Sequence, residues 1–177
     1  MTFSLYDATV PSWLQILGSV RGLIAKADAF CAEKGIAEAD LLQTRLAEDM
    51  RPLAMQLKWV STHSIGAIEG VRKGVFSPDR SAPEENFAAA LARIDATIAA
   101  LGALTPAEVN GFMGRDMQFS VPEVGLVVDF TAENFLLSFS LPNFYFHAAT
   151  AYDILRHKGL QIGKRDFLGK MRIKTPA

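Results

Sequence analysis

Two histidines on separate helical patterns, His63 and His147, are the side chains of this chain best suited to chemistry. A neutral imidazole ligates divalent metals, and its proton equilibrium lies near neutral pH. Two such rings on facing helices can meet across a bundle interior, where metal sites are commonly built. A catalytic zinc site, however, requires three protein ligands. Asn143 lies one helical turn before His147 on the same face and can add a weak third contact through its amide oxygen. Without an ion, the same residues form a hydrogen-bonded polar cluster. His157 cannot join them, because it lies ten residues beyond His147, about 15 Å along a helix axis. Its expected place is a helix C-terminus, where a cationic side chain suits the dipole.

The segment around His147 carries a second signal. From Phe135 to Gly159 the chain is strongly apolar, yet Ser140, Asn143, His147 and Thr150 recur at steps of three or four among Leu136 and Ile154. On a helix this spacing gathers all six on one face. Buried polar groups are costly unless partnered, so the line either fixes the register of two helices or builds a site. Other candidates are weaker. Cys31 has no histidine or helix N-terminus near it in sequence, so an activated thiol is not expected. Tyr145 and Tyr152 face away from the polar line, beside Arg156, and read as packing against the tail or a second subunit. Lys164-Arg165-Asp166 reads as a solvated turn. There is no Walker loop, dinucleotide fingerprint, nucleophile elbow or HExxH motif.

These residues must be positioned by long helices. The first is expected from about Ser4 to Lys34, with Ser4 and Asp7 as a capping box, Gly35 as the stop and a kink at Pro11. Val10, Trp13, Leu14, Leu17, Val20, Ile24, Ala27 and Cys31 form its apolar stripe. A short helical approach over 40–50 leads into helix two, read as continuous from Arg51 to Lys73, with His63 on the flank of its inward line. A connection over 74–82 precedes helix three, whose start is placed at Ser81, Pro83 and Glu84. Thr105-Pro106 opens a further short turn ended by Gly111. Alternation at Met117, Phe119 and Val121, a turn at 122–125, and alternation at Leu126, Val128 and Phe130 predict a small β-hairpin. Helix four is expected from Ala132 to Lys158, capped by Thr131, bent at Pro142 and ended by Gly159.

At 177 residues, 50% hydrophobic and 21% charged, the chain fits one soluble globular domain over 1–177, with a bundle core over about 4–159 and a basic tail over 160–177. The whole chain carries −1 and the residues from Arg156 onward +6, leaving −7 on the first 155. No aromatic-interleaved basic motif accompanies that tail, so nucleic-acid binding is not expected. A lone cysteine excludes an internal disulfide and points to a reducing cytoplasm. No run reaches the roughly 18 apolar residues of a membrane span; Phe135 to Ala151 comes closest but carries Pro142, Asn143 and His147, and MTFSLYDATV lacks the basic start of a signal peptide.

Four segments together, SLYDATVP, RLAEDMRPL, LPNFYFHAATAYDILRHKG and IGKRDFLG, resemble an uncharacterised bacterial domain family of the DinB/YfiT-like superfamily, over about Leu5 to Gly169. The resemblance implies an all-α four-helix bundle of up-down-down-up topology with a long crossover between helices two and three, commonly a homodimer. It also implies a divalent metal held by a histidine on helix two and a pair of histidines four apart on helix four, and relatives that include thiol-dependent transferases and isomerases. His63 matches the helix-two ligand. Counted back from Gly159, His147 matches the second histidine of the pair and Asn143 stands at the first. An amide there binds zinc or nickel far less well than an imidazole. Two expectations follow: a metal-dependent enzyme with an altered His63–Asn143–His147 site for Zn, Ni or Fe, or a metal-free dimeric bundle that binds a small ligand or partner. Leu141, Tyr145 and Tyr152, opposite the polar line, form the face such a dimer or the tail would cover.

Overall fold

Ser4 starts the first helix as its spacing requires: its hydroxyl accepts from the Asp7 N–H while the Asp7 carboxylate accepts from the Ser4 N–H. Helix α1 (Leu5–Lys34) runs unbroken through Pro11 to Gly35, whose left-handed φ of 64° closes it. The computed structural model describes residues 3–174, so residues 1–2 and the last three residues of the basic tail, 175–177, lie outside the described residues. A five-residue helix α2 (Glu38–Leu42) follows, ending before the 50 anticipated from sequence.

Helix two is not continuous. It divides into α3 (Leu53–Thr62) and α4 (Ile65–Lys73), with His63 and Ser64 at the break. The Ser64 hydroxyl donates back to the carbonyls of Val60 and Ser61, a side-chain competition that helical periodicity does not reveal. Directly after α4, Val75–Phe76 forms a short strand β1, not a plain loop. A Cβ on Gly70 would meet Phe76 Cβ at 2.9 Å, so glycine there lets the strand lie tight against α4.

Helix α5 begins later than anticipated. It covers Phe87–Gly102, and Asn86 caps it by accepting from the Ala89 N–H. Ser81 and Glu84 serve elsewhere: Ser81 holds the connection to α3, and Glu84 pairs with Arg93. After α6 (Pro106–Asn110), capped by Thr105, the predicted hairpin appears as antiparallel β2 (Asp116–Val121) and β3 (Leu126–Thr131). β1 pairs parallel to β2, making the sheet three-stranded in the order β1-β2-β3.

The last long rod has three parts. A turn of helix α7 (Ala132–Asn134) leads into a π-helical stretch at Phe135–Ser140, and α8 (Leu141–His157) completes the rod. Proline at 142 has no N–H for the Ser138 carbonyl, and the wider turn immediately before it absorbs the mismatch. Thr131 stands at the N-cap position, but its hydroxyl makes no capping bond. Beyond the left-handed Gly159, a short helix α9 (Lys164–Leu168) folds back onto α1.

The four long rods pack in a closed ring. α1 lies against α5 and α8, and α3 against the same two helices. Their shared core includes Trp13, Leu17 and Ile24 of α1, Leu53 and Val60 of α3, Phe87 and Ile94 of α5, and Phe144, Ala151 and Ile154 of α8. The molecule is thus mostly helical with a small sheet. None of its described helices is long and apolar enough to cross a membrane. The face opposite the polar line is divided: Tyr152 packs edge-on against Phe167 of α9, 5.9 Å between ring centroids, Leu141 is partly buried against the core, and Tyr145 is exposed.

Candidate functional site

The break between α3 and α4 carries His63 to the wall of α8, where its ring lies 5.4 Å from that of His147, tilted by only 24°. Both side chains are buried, at 8% and 7% exposure. The helix that supplies His147 is pinned to the break, because the Ser140 hydroxyl donates to the His63 carbonyl at 2.9 Å. Ser140 therefore accounts for one member of the polar line as a register contact. His147 and Asn143 account for two more as cavity residues.

The protonation of His147 follows from its neighbours. Gln56 Nε2 donates to the Arg51 carbonyl at 2.9 Å, which fixes the amide with Oε1 towards the imidazole. That Oε1 lies 2.8 Å from His147 Nδ1 and can only accept, so Nδ1 carries the proton and Nε2 keeps a lone pair. Burial holds the His147 imidazolium well below the usual histidine range, at about 4. For His63, burial and then the neighbouring His147 lower it to about 3. Both rings are neutral at pH 7. His63 Nδ1 is buried and has no partner among the described residues, an unusual condition for a native polar atom.

Asn143 is also oriented. Its Nδ2 donates to the Phe139 carbonyl at 2.7 Å, leaving the amide oxygen as the free end. The three predicted residues line one cavity of about 250 Å³, together with Trp59, Thr62, Phe76, Pro78, Phe119 and Phe139. No ionised side chain is among them. The walls are aromatic: Trp59 lies 5.0 Å from His147, Phe76 and Phe139 lie 5.6 and 5.8 Å from His63, and Phe119 lies 4.8 Å from Phe139, tilted by 46°.

As a metal centre this donor set is poor. Two imidazoles and one neutral amide supply no negative charge against a dication, and the rest of the wall is apolar. No group of three or more His, Cys, Asp or Glu that could hold an ion occurs among the described residues. The Gln56 bond to His147 Nδ1 is nevertheless the orienting contact that metal-binding histidines usually have.

Seven contributors were not anticipated from sequence: Gln56, Trp59, Thr62, Phe76, Pro78, Phe119 and Phe139. Gln56 and Trp59 precede His63 by seven and four residues, so helical spacing alone places them on its face. Phe76 and Pro78 arrive through the connection after α4, which no periodicity describes. That connection is held by a fully buried lysine. Lys58 Nζ donates to the Ser81 carbonyl at 2.6 Å and to its hydroxyl at 2.7 Å, and pairs with Asp79 at 3.0 Å. Burial alone would raise the Asp79 carboxyl, but the Ser81 hydroxyl and N–H together with Lys58 hold it at about 2.

The remaining candidates lie apart from the cavity. Cys31 is buried, and burial followed by Glu38, Asp28 and Asp40 raises its thiol, the opposite of activation. His157 is exposed near the end of α8, as anticipated. Lys164 and Arg165 belong to α9, whose Asp166 pairs with Lys26 of α1.

A family model described as a domain of unknown function, DUF1993, matches residues 5–168. A crystal structure described as a DinB family member from Shewanella denitrificans superposes with a TM-score of 0.79 at 30% identity, covering 97% of this chain and 96% of that one. No curated protein matches. With one model spanning almost the whole chain and a neighbour aligned over nearly its full length, this chain belongs to the DUF1993 family, a DinB-like family.

Proposed function

We propose that this protein binds a small molecule in the cavity between α3, α8 and the β1–α5 connection, with the His63–His147 pair as its polar end and no metal required. The observation that carries this reading is a neutral His147, oriented by Gln56, beside His63 and an oriented Asn143 in the wall of an aromatic hollow. A purely structural pair would be expected to satisfy itself. Binding is favoured over general-base catalysis because a base works best with a pKa near the operating pH, and His147 is held near 4. In solution the reading predicts that small aromatic fragments shift the ring resonances of His147 and the indole resonance of Trp59 in chelator-treated, tag-free protein. Fragment shifts confined to the exposed surface, with both reporters silent, would overturn it.

A second reading is favoured by the Gln56–His147 bond: His63, His147 and Asn143 hold a divalent ion such as Zn, Ni or Fe. Such an ion supplies Lewis-acid polarisation of a bound oxygen when present. This chain's own residues would fix His147 Nε2 as the donor atom through Gln56 and keep both rings unprotonated by burial. Elemental analysis of protein purified without a histidine tag separates the two readings. Stoichiometric metal lost in His147→Ala supports the second; a trace content unaffected by that change supports the first.

Two further points belong to the same proposal. The ring α1–α5–α3–α8 is compatible with the up-down-down-up order of a DinB-like four-helix bundle. A homodimer is supported by Tyr145, Phe146 and Leu137 exposed along the last rod, and by the exposed edge strand β3 with Leu126, Val127 and Val128. Sedimentation showing only monomer at micromolar concentration would remove it. A cytoplasmic location accords with the single reduced, buried Cys31.

A further inference from the structure

We infer that the group received by this cavity is uncharged and planar, one substituted ring in size, and that it presents a hydrogen-bond donor to His147 Nε2 and Asn143 Oδ1. The inference rests on the cavity reading above and names the chemical class that the cavity selects.

Size sets the first limit. An apolar cavity of about 150 Å³ accommodates benzene, and pockets for drug-sized ligands begin at roughly 300 Å³. At about 250 Å³ this pocket, which opens to solvent, lies between them, so one ring and a short substituent fit within its walls. The wall sets the second. Trp59, Phe76, Phe119 and Phe139 present faces and edges suited to a flat π-system.

Polarity sets the third limit, and it is directional. Gln56 occupies the Nδ1–H of His147, so only the Nε2 lone pair remains. Phe139 occupies the amino group of Asn143, so only its carbonyl oxygen remains. Thr62 directs its hydroxyl back at the Lys58 carbonyl, 3.4 Å away, which leaves oxygen lone pairs on the cavity side. Three groups of different types are thus each turned to offer an acceptor. A ligand with acceptors alone would leave them unpaired, at the cost of an unsatisfied buried group. A hydroxyl or N–H on the ring meets them.

Charge sets the fourth limit. An anion would face lone pairs with no cationic partner on the wall. A cation gains from the aromatic faces, but no carboxylate lines the cavity to offset its desolvation. The neutral donor-bearing ring is the remaining class.

The test uses the full chain and four probes of similar size: phenol, anisole, benzoate and benzylammonium. The two tryptophan indole resonances report without mutation. Trp59 lines the cavity, and Trp13 lies fully buried outside its lining and serves as the internal control. Phenol is expected to shift Trp59 and not Trp13, and to bind at least about tenfold tighter than anisole, in which a methyl group replaces the donor hydrogen. His147→Phe is expected to erase the phenol–anisole difference while retaining ring binding. Equal affinity of phenol and anisole, or tighter binding of either ion, with Trp59 responding, would overturn the class while leaving the cavity reading intact. Silence of Trp59 towards all four probes would overturn the cavity reading and this inference with it.

Discussion

Lys58 of helix α3 and His63 at the break that ends it are buried polar side chains five residues apart, and they are treated in opposite ways. Lys58 is fully enclosed, yet its ammonium meets three oxygens, from the Ser81 carbonyl, the Ser81 hydroxyl and Asp79. His63 is enclosed to a similar degree, yet its Nδ1 meets nothing and its ring faces another neutral imidazole. A buried charge with complete partners is architecture: it straps the β1–α5 connection onto the bundle, and removing one member leaves the others stranded. A buried polar group left open, beside a hollow, is capacity held for something else. The difference separates scaffold from site within five residues of chain.

Breaking the strap should produce the largest effect. Lys58→Ala is expected to lower stability by about 1–3 kcal/mol, because the Ser81 oxygens and the partly exposed Asp79 lose their ammonium partner, measured by urea unfolding. A loss below about 1 kcal/mol would place Lys58 outside the framework and end the comparison.

Acid should act on the other region. Both imidazoles have folded pKa values depressed below the unfolded value near 6.5, to about 3 and about 4. The unfolded chain therefore binds more protons than the folded one between those limits. Stability is full above pH 6.5 and falls as pH drops towards 4, by an amount on the order of a few kcal/mol for the pair. The double variant His63→Phe/His147→Phe should flatten this slope. A wild-type slope that persists in the double variant would assign it to other groups. Asp79, held at about 2, contributes its own loss only at lower pH, between its unfolded value near 3.8 and 2.

Smaller effects sharpen the contrast. Ser140→Ala removes one hydrogen bond that sets the register of α8 on the helix break, and about 1 kcal/mol is expected in thermal or chemical denaturation. His63→Phe should leave stability within about 1 kcal/mol of wild type or raise it slightly, because an unpaired buried nitrogen is exchanged for carbon. The same change should weaken phenol binding. Strong destabilisation by His63→Phe would mean the ring has a structural role that its unpaired nitrogen does not suggest.

Much of this was legible in the residues. The periodic stripes of α1 and α5, the capping box at Ser4, the hairpin alternation and the polar spacing of α8 are local signals, and each corresponds to an observed element. Three features were not legible because they are set by tertiary partners. The break at His63–Ser64 depends on serine back-bonding and on Ser140 reaching across from another rod. The strand at Val75–Phe76 exists only because β2 lies beside it and Gly70 lets it approach. Ser81 and Glu84 have the pattern of a helix start, yet a buried ammonium and Arg93 claim them, and Asn86 caps the helix instead. Within the site, the facing histidines were recoverable from spacing, whereas the tautomer-setting Gln56 required knowledge of which face of α3 turns inward.

The central claim is that His147 is a neutral imidazole protonated on Nδ1, with Nε2 offered to the cavity. Long-range ¹⁵N–¹H correlation of the histidine side chains, recorded from pH 7 down to 5, tests it directly. The account predicts neutral-ring shifts for His63 and His147 across that range, with His147 in the Nδ1–H form. An imidazolium at pH 7, or the proton of His147 on Nε2, would contradict it.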